Sequence, residues 1–331
     1  MTKNTASDRP LVTLALFTFN QERYVRDALE AVFAQTYEPL EILITDDCSS
    51  DGTVAEIESV LSGYPERALV SLHCNETNLG WNRWGGHISA AVARARGKLV
   101  VLAAGDDVSM PDRVGHLVEA WMAAGRPSGV VHSAFQTLSD SKELNGQIRQ
   151  EGRNFGDQSP LDAVRKDGEG LLGASMAFTP DLLDRFGPLE DETVFEDRVI
   201  GFRALLYGKV IFVEAPLVQY RLHAANVSGP NIYTDPKRWD RFCRGQDALY
   251  RSFRADYLKM HDSKVADPQV LAEIEKRAMH VGRTAKLVSG NPIERAMAAW
   301  HVTIHQRNLR YRLSFALKAL GIKRLIGSIR A

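Results

Sequence analysis

The sequence predicts an α/β fold, a mixed but mainly parallel sheet flanked by helices, with a helical C-terminal extension. Short apolar runs recur at 11–17, 40–45, 68–72 and 98–104. They are nearly unbroken, as strands covered on both faces require. Segments of helical period lie between them, so strand and helix alternate with right-handed crossovers. Polar residues gather where the first, second and fourth runs stop, at Thr18-Phe19-Asn20, Asp46-Asp47 and Asp106-Asp107.

In chain order, Leu11–Phe17 ends at Thr18-Phe19-Asn20, where Asn20 reads as an N-cap. Val25, Ala28, Leu29, Val32 and Phe33 then repeat at helical spacing against a charged face. Tyr37-Glu38-Pro39 breaks that helix. Leu40–Thr45 forms the second strand, 46–53 a polar turn, Val54–Leu61 a helix and Ala68–Leu72 the third strand. A loop at Asn78-Leu79-Gly80 leads into an Ala-rich helix over His87–Ala95. The strand of 98–104 stops abruptly at Gly105 and two adjacent carboxylates. Ser109 reads as the N-cap of a helix starting at Met110-Pro111-Asp112-Arg113.

The second half is sparser. Val130–Phe135 reads as a strand, 138–157 as a mobile polar loop near the acceptor, and Gly173–Phe178 as a small-residue strand. Phe186-Gly187-Pro188 turns the chain toward Glu196-Asp197 and a helix through Tyr207. Gly208 caps it before a final strand over 209–213. From about Asp235 the chain turns helical, with Trp239, Phe242, Gln246, Leu249, Phe253 and Tyr257 three or four residues apart, and 289–292 stops a second helix.

Composition excludes several classes. Forty-one basic and forty-one acidic residues cancel over 331, which gives no global pull toward nucleic acid. Three scattered cysteines make neither a disulfide framework nor a zinc site, so a reduced, cytoplasmic setting is expected. Residues 1–10 are polar and are expected to be a disordered start, with none of the features of a signal peptide. No apolar run reaches the roughly 18–20 residues of a membrane span. After Glu294 there is no acid, and 308–329 mixes apolar with basic residues. That segment is either a peripheral membrane helix or one packed on the catalytic part with a solvated basic face.

The carboxyl ends of parallel strands converge on one sheet edge, where ligands bind. Taken singly, each polar cluster is an ordinary helix cap; together they suggest a site. There is no G-x-G-x-x-G and no G-x-x-x-x-G-K-[ST], which disfavours a dinucleotide or a P-loop. Carboxylate pairs beside an aromatic suit a nucleoside diphosphate held through a cation, with Phe19 stacking on the base and Asp47 accepting from a base N–H. Glu196-Asp197 reads either as an ordinary acidic first turn or as a base for a hydroxyl, its pKa lowered by the helix dipole.

Val12–Asn20, Gln35-Thr36, the run from Glu41 through Asp46-Asp47-Cys48-Ser49-Ser50-Asp51-Gly52-Thr53, Asn78-Leu79-Gly80 and Asp106-Asp107 with Pro111-Asp112-Arg113 resemble the GT-A-fold, family 2 glycosyltransferases. The resemblance covers about 10–230. It implies a GT-A-type, Rossmann-like domain over 11–230, split into a nucleotide-sugar half (11–115) and an acceptor half (116–230), before a helical region at 231–331. It also implies inverting transfer of a sugar from a nucleotide donor, UDP-linked first among them, to a hydroxyl of a glycan or lipid-linked acceptor in bacterial surface polysaccharide synthesis.

Residue by residue, the resemblance places Thr18, Phe19, Asn20, Asp46, Asp47, Arg83, Asp106, Asp107 and Arg221 at the nucleotide sugar. It makes Asp197 the base and Glu196 the acceptor-positioning acid. It gives a divalent cation, Mn²⁺ or Mg²⁺, to Asp106 with His223. Two positions depart from the family pattern: Phe17 replaces a proline, and Ala104 replaces the first acid of D-x-D, which leaves the cation more dependent on the donor's diphosphate. The rival readings are a sugar-phosphate nucleotidyltransferase, which would want a basic glycine-rich first loop, and a non-catalytic nucleotide-sugar-binding or scaffold protein.

Overall fold

A computed structural model describes residues 9–64, 69–80, 83–223, 236–261 and 266–289. The basic segment 308–329 and residues 1–8 lie outside them. Four parallel strands open the fold: β1 (Val12–Thr18), β2 (Leu40–Asp46), β3 (Val70–Cys74) and β4 (Leu99–Ala104). Their crossovers carry α1 (Val25–Phe33), α2 (Thr53–Ser62) and α3 (Trp84–Arg94). Every residue of β1 is buried, which explains its lack of alternation.

The sheet continues through β5 (Val108–Ser109), β6 (Gly129–Ser139), β7 (Leu144–Arg149), β8 (Met176–Phe178) and β9 (Lys209–Leu222). Among the described residues its order is β3-β2-β1-β4-β8-β6-β9-β5, with β7 on β6. β8 runs antiparallel to both β4 and β6, β6 and β9 are parallel, and β5 is antiparallel to β9. The remaining helices are α4 (Arg113–Ala123), α5 (Pro160–Arg165), α6 (Asp181–Phe186), α7 (Glu196–Tyr207), α8 (Pro236–Met260) and α9 (Pro268–Ser289).

Several sequence expectations are corrected here. Ser109 does not cap a helix. It pairs with Val218 of β9, its hydroxyl accepts from Arg113 (2.9 Å), and α4 begins four residues later behind Asp112. Asn20 does not cap α1, which starts at Val25. It takes φ +49°, a conformation asparagine tolerates, and its Oδ1 accepts from the Ser50 N–H (2.8 Å). The expected loop at 138–157 contains the β6–β7 hairpin, because β6 supplies the partner its polar residues hide. The hairpin tip is tied down: the Tyr24 hydroxyl donates to Asp140 (2.7 Å) and Lys142 Nζ to Asp27 (2.9 Å). Gly173–Ser175 is a 3-10 turn, and only Met176–Phe178 is strand. The final strand is far longer than expected and carries Tyr220 and Arg221.

The apolar interior lies on the two faces of the sheet. Leu14, Leu16, Ile44 and Val101 face α1 and α4, while Phe178, Ile200, Phe202 and Phe253 pack on the other side. Residues of α8 and α9, among them Tyr250, Phe253 and Ile274, belong to that second cluster. A buried ion pair joins α7 to α8: Arg203 meets Asp256 through Nε (2.8 Å), and its Nη1 donates to the Gly187 carbonyl (2.8 Å). Removing one partner strands the other charge, so Asp256→Ala should cost about 3 kcal/mol, read as a fall in the thermal or urea unfolding midpoint. An unchanged midpoint would mean the pair holds nothing.

Candidate functional site

The carboxyl ends of β1, β2 and β4 form one edge, and hydrogen bonds shape each turn on it. Asp46 is fully buried; its carboxylate accepts from the hydroxyls of Thr18 and Ser49 (2.7 Å each) and from the Ser49 N–H (2.8 Å). It ties β1 to the turn after β2. Asp47 accepts from the Asn75 side chain (2.8 Å), the N–H groups of Leu79 and Gly80 (2.9 Å each) and the Asn78 side chain (3.2 Å). This carboxylate therefore moulds the Asn78-Leu79-Gly80 loop; Gly80, at φ +56°, makes the turn possible. Phe19 stands beside these turns with 42% of its surface exposed, an open aromatic face. Arg83 does not join this group: it ion-pairs with Asp191 (3.5 Å), on the segment leading to α7.

At the end of β4, Asp106, Asp107, Arg221 and His223 come together although more than a hundred residues separate the two pairs. The Arg221 N–H donates to Asp107 Oδ1, its Nε to the Asp106 carbonyl (both 2.8 Å) and its Nη2 to Asp27 (2.9 Å). Arg221 is 1% exposed, so it fixes the loop from beneath. Burial, reinforced by the neighbouring Asp106 charge, pushes the Asp107 carboxyl well above the usual range. His223 Nε2 lies 3.0 Å from Asp106 Oδ2, and its ring stacks on Tyr24 (centroids 4.7 Å apart).

An oxygen and a nitrogen 3.0 Å apart match two adjacent ligands of one divalent ion, since bonds of about 2.1 Å at right angles place their ends about 3 Å apart. Among the described residues no third His, Cys, Asp or Glu completes such a shell. The donor set thus fits a cation that takes its other oxygens from elsewhere, in keeping with Ala104 at the first acid position.

Arg113 connects this edge to the turn at Gly173–Ser175. Its guanidinium, 1% exposed, donates to the carbonyls of Leu102 on β4 (2.8 Å) and Ala174 (2.6 Å). Burial pulls its pKa down to about 10. Gln35 holds the same loop from α1, donating to the Met110 carbonyl (2.7 Å) and accepting from the Val114 N–H (3.1 Å). Next to Ala174, Gly173 lies against the Glu196-Asp197 pair at the start of α7; a Cβ there would come within 2.7 Å of Glu196 Oε1. Asp197 accepts from the N–H groups of Arg198 (2.8 Å) and Gly173. Glu196 Oε2 accepts from the Trp84 indole N–H (3.0 Å).

The helix dipole does not lower these acids as the sequence suggested. Burial raises Asp197 despite Arg198 and its N–H donors. Burial and the Asp197 charge together push Glu196 up to about 8. Tyr24, Asn75, Trp84 and Arg113 all contribute to the site without having been singled out for it. Only Arg113 lay inside a recognisable motif; the others act through partners distant in sequence.

Residues 13–177 match the family model for glycosyl transferase family 2. The chain belongs to that family, which favours the glycosyltransferase reading over the nucleotidyltransferase and non-catalytic ones. It is 23% identical to an uncharacterised glycosyltransferase of Nostoc sp. over 220 residues, 65% of this chain and 66% of that one. Over 116 residues, 35% of this chain and 31% of the other, it is 30% identical to the succinoglycan biosynthesis protein ExoO of Rhizobium meliloti. The chain spans just under two thirds, 66%, of the length of the Nostoc relative.

Among solved structures, S. aureus TarS in complex with UDP-GlcNAc superposes with a TM-score of 0.60 at 16% identity, covering 96% of this chain and 91% of that one. The mannosyltransferase PcManGT of Pyrobaculum calidifontis, in complex with GDP-Man and Mn²⁺, gives 0.53 at 16%, covering 96% and 87%. These likenesses establish the GT-A-type fold.

The raised Glu196 carboxyl has a sign that can be measured. A carboxyl whose folded pKa exceeds its unfolded one contributes stability at low pH, lost as pH rises through the folded value near 8. Glu196→Gln removes that loss, so the variant's thermal midpoint should gain on the native protein between pH 5 and 9. Parallel midpoints across that range would show that Glu196 is not raised.

Proposed function

We propose that the protein catalyses an inverting transfer of a sugar from a nucleoside-diphosphate sugar to a hydroxyl of a glycan or lipid-linked acceptor. The observation that carries this reading is the linkage of two acid groups through Gly173-Ala174-Ser175. Arg113 binds that turn from the β4 side, and Glu196 and Asp197 rest on it from the α7 side. One group suits a departing diphosphate, the other an incoming hydroxyl.

Phe19 offers a face to the base, on the loop edge shaped by Thr18, Asn20, Asp46 and Asp47. Asp106 and His223 would hold a divalent cation, which when bound neutralises charge on the diphosphate. Arg221 and Asp107 keep Asp106 in place. Asp197, ionised, takes the acceptor proton as the hydroxyl oxygen attacks the anomeric carbon opposite the leaving diphosphate, through an oxocarbenium-like transition state. Its raised pKa makes it a stronger base than an exposed aspartate. UDP-GlcNAc in TarS and the naming of ExoO as a succinoglycan biosynthesis protein support a UDP-linked donor and polysaccharide synthesis; a cytoplasmic setting is part of the same proposal.

Asp197→Asn should lower donor turnover about 10²–10⁴-fold while nucleotide binding persists; unchanged turnover would remove Asp197 from the mechanism. With so few protein ligands, Mn²⁺ should bind at least tenfold more tightly in the presence of UDP than alone, by calorimetric titration, and Asp106→Ala should abolish the difference. Equal affinities would dissociate the cation from the donor.

A further inference from the structure

Trp84 is the first residue of α3, on the nucleotide-sugar side, yet its indole N–H reaches Glu196 at the start of α7 (3.0 Å). The ring is held firmly. It stands edge-on to Phe17 of β1 (centroids 5.6 Å, 62°) and to His87 of α3 (5.6 Å, 89°). Phe17 and His87 are edge-on to one another (5.3 Å), and His87 Nε2 meets the Thr45 hydroxyl of β2 at 2.7 Å. Aromatic pairs in this arrangement fix orientation beyond what burial alone provides. The indole is thus set by three elements of one half of the site while its N–H serves the other.

An indole N–H is a donor only, so the oxygen it meets must accept. Glu196 Oε2 therefore cannot carry the proton toward Trp84. Oε1, over the bare α-carbon of Gly173, remains free to carry it. Asp197 receives the N–H groups of Gly173, Arg198 and its own residue, whereas Glu196 has its own N–H and the Trp84 indole. Donors favour the charged form. The charged groups facing Glu196 are Asp197 and Arg198, both on α7; Trp84 and Gly173 bring none. Two crowded carboxylates with these unequal partners divide the roles of acid and ionised base.

We infer that Trp84 is a positioning residue: by fixing Glu196 Oε2 as an acceptor, it confines a proton carried by Glu196 to Oε1 and holds that carboxyl in one orientation beside Asp197, the base for the acceptor hydroxyl. This rests on Asp197 as the base, but its test does not need a known donor. Each of the chain's five tryptophans gives one indole N–H resonance, and loss of one in Trp84→Phe identifies the Trp84 signal. Where phenylalanine fails to fold, 3-benzothienylalanine at the same position keeps the bicyclic ring without the N–H.

The Trp84 resonance should shift between pH 6 and 10 with a midpoint near 8, following Glu196, and should stand still in Glu196→Gln. In the turnover assay used for Asp197, removing the N–H should lower kcat about tenfold with donor KM changed less than twofold. A resonance that does not titrate, one that titrates equally in Glu196→Gln, or an unchanged kcat would each overturn the inference. If Asp197→Asn keeps full turnover while the resonance titrates with Glu196, the base assignment fails and the Trp84–Glu196 coupling stands.

Discussion

A guanidinium sealed inside the protein holds the two halves together. Arg113 has no access to solvent to speak of, and an unpaired charge in such a place costs several kcal/mol. It is tolerated because carbonyls of Leu102 and Ala174 and the Ser109 hydroxyl receive its N–H groups, and because the Asp107 charge faces it. Those carbonyls belong to β4 and to the turn beneath Glu196 and Asp197. The distance between the end of β4 and the start of α7 is therefore set by a rigid planar cation rather than by loop packing.

The C-terminal helices extend the same logic. Tyr250 of α8 and Arg277 of α9 both donate to Asp167, whose carbonyl receives Arg198 (3.3 Å). Arg198 follows Asp197, so the helices that close the apolar cluster also brace the residue next to that carboxylate. Together with the Arg203–Asp256 pair, this makes α8 and α9 part of the framework behind α7.

What the sequence makes legible follows from how local each signal is. Strands β1, β2 and β4 announce themselves because burial on both faces keeps them predominantly apolar, with no regular polar alternation. The Asp-Asp turns and the Glu-Asp start of α7 are visible as motifs, and the family resemblance gave them an ordering that spacing could not. Pairing across long separations is illegible: Ser109 becomes strand only because β9 lies beside it, and the polar residues of 144–149 pair only because β6 is there. The direction of the Asp197 shift is hidden from the sequence for a related reason, since a helix terminus acts locally whereas burial depends on everything packed around it. Trp84 and Tyr24 carry no local sign of their partners.

The tied hairpin tip has a consequence for the length of the chain. Asp140 and Lys142 are anchored to Tyr24 and Asp27, and those residues in turn touch His223 and Arg221. A turn between two strands is ordinarily where relatives gain and lose residues most freely. Here the turn works as a gauge. One residue more or fewer would shift the ring on which His223 rests, so a change of length costs more here than at an untethered turn.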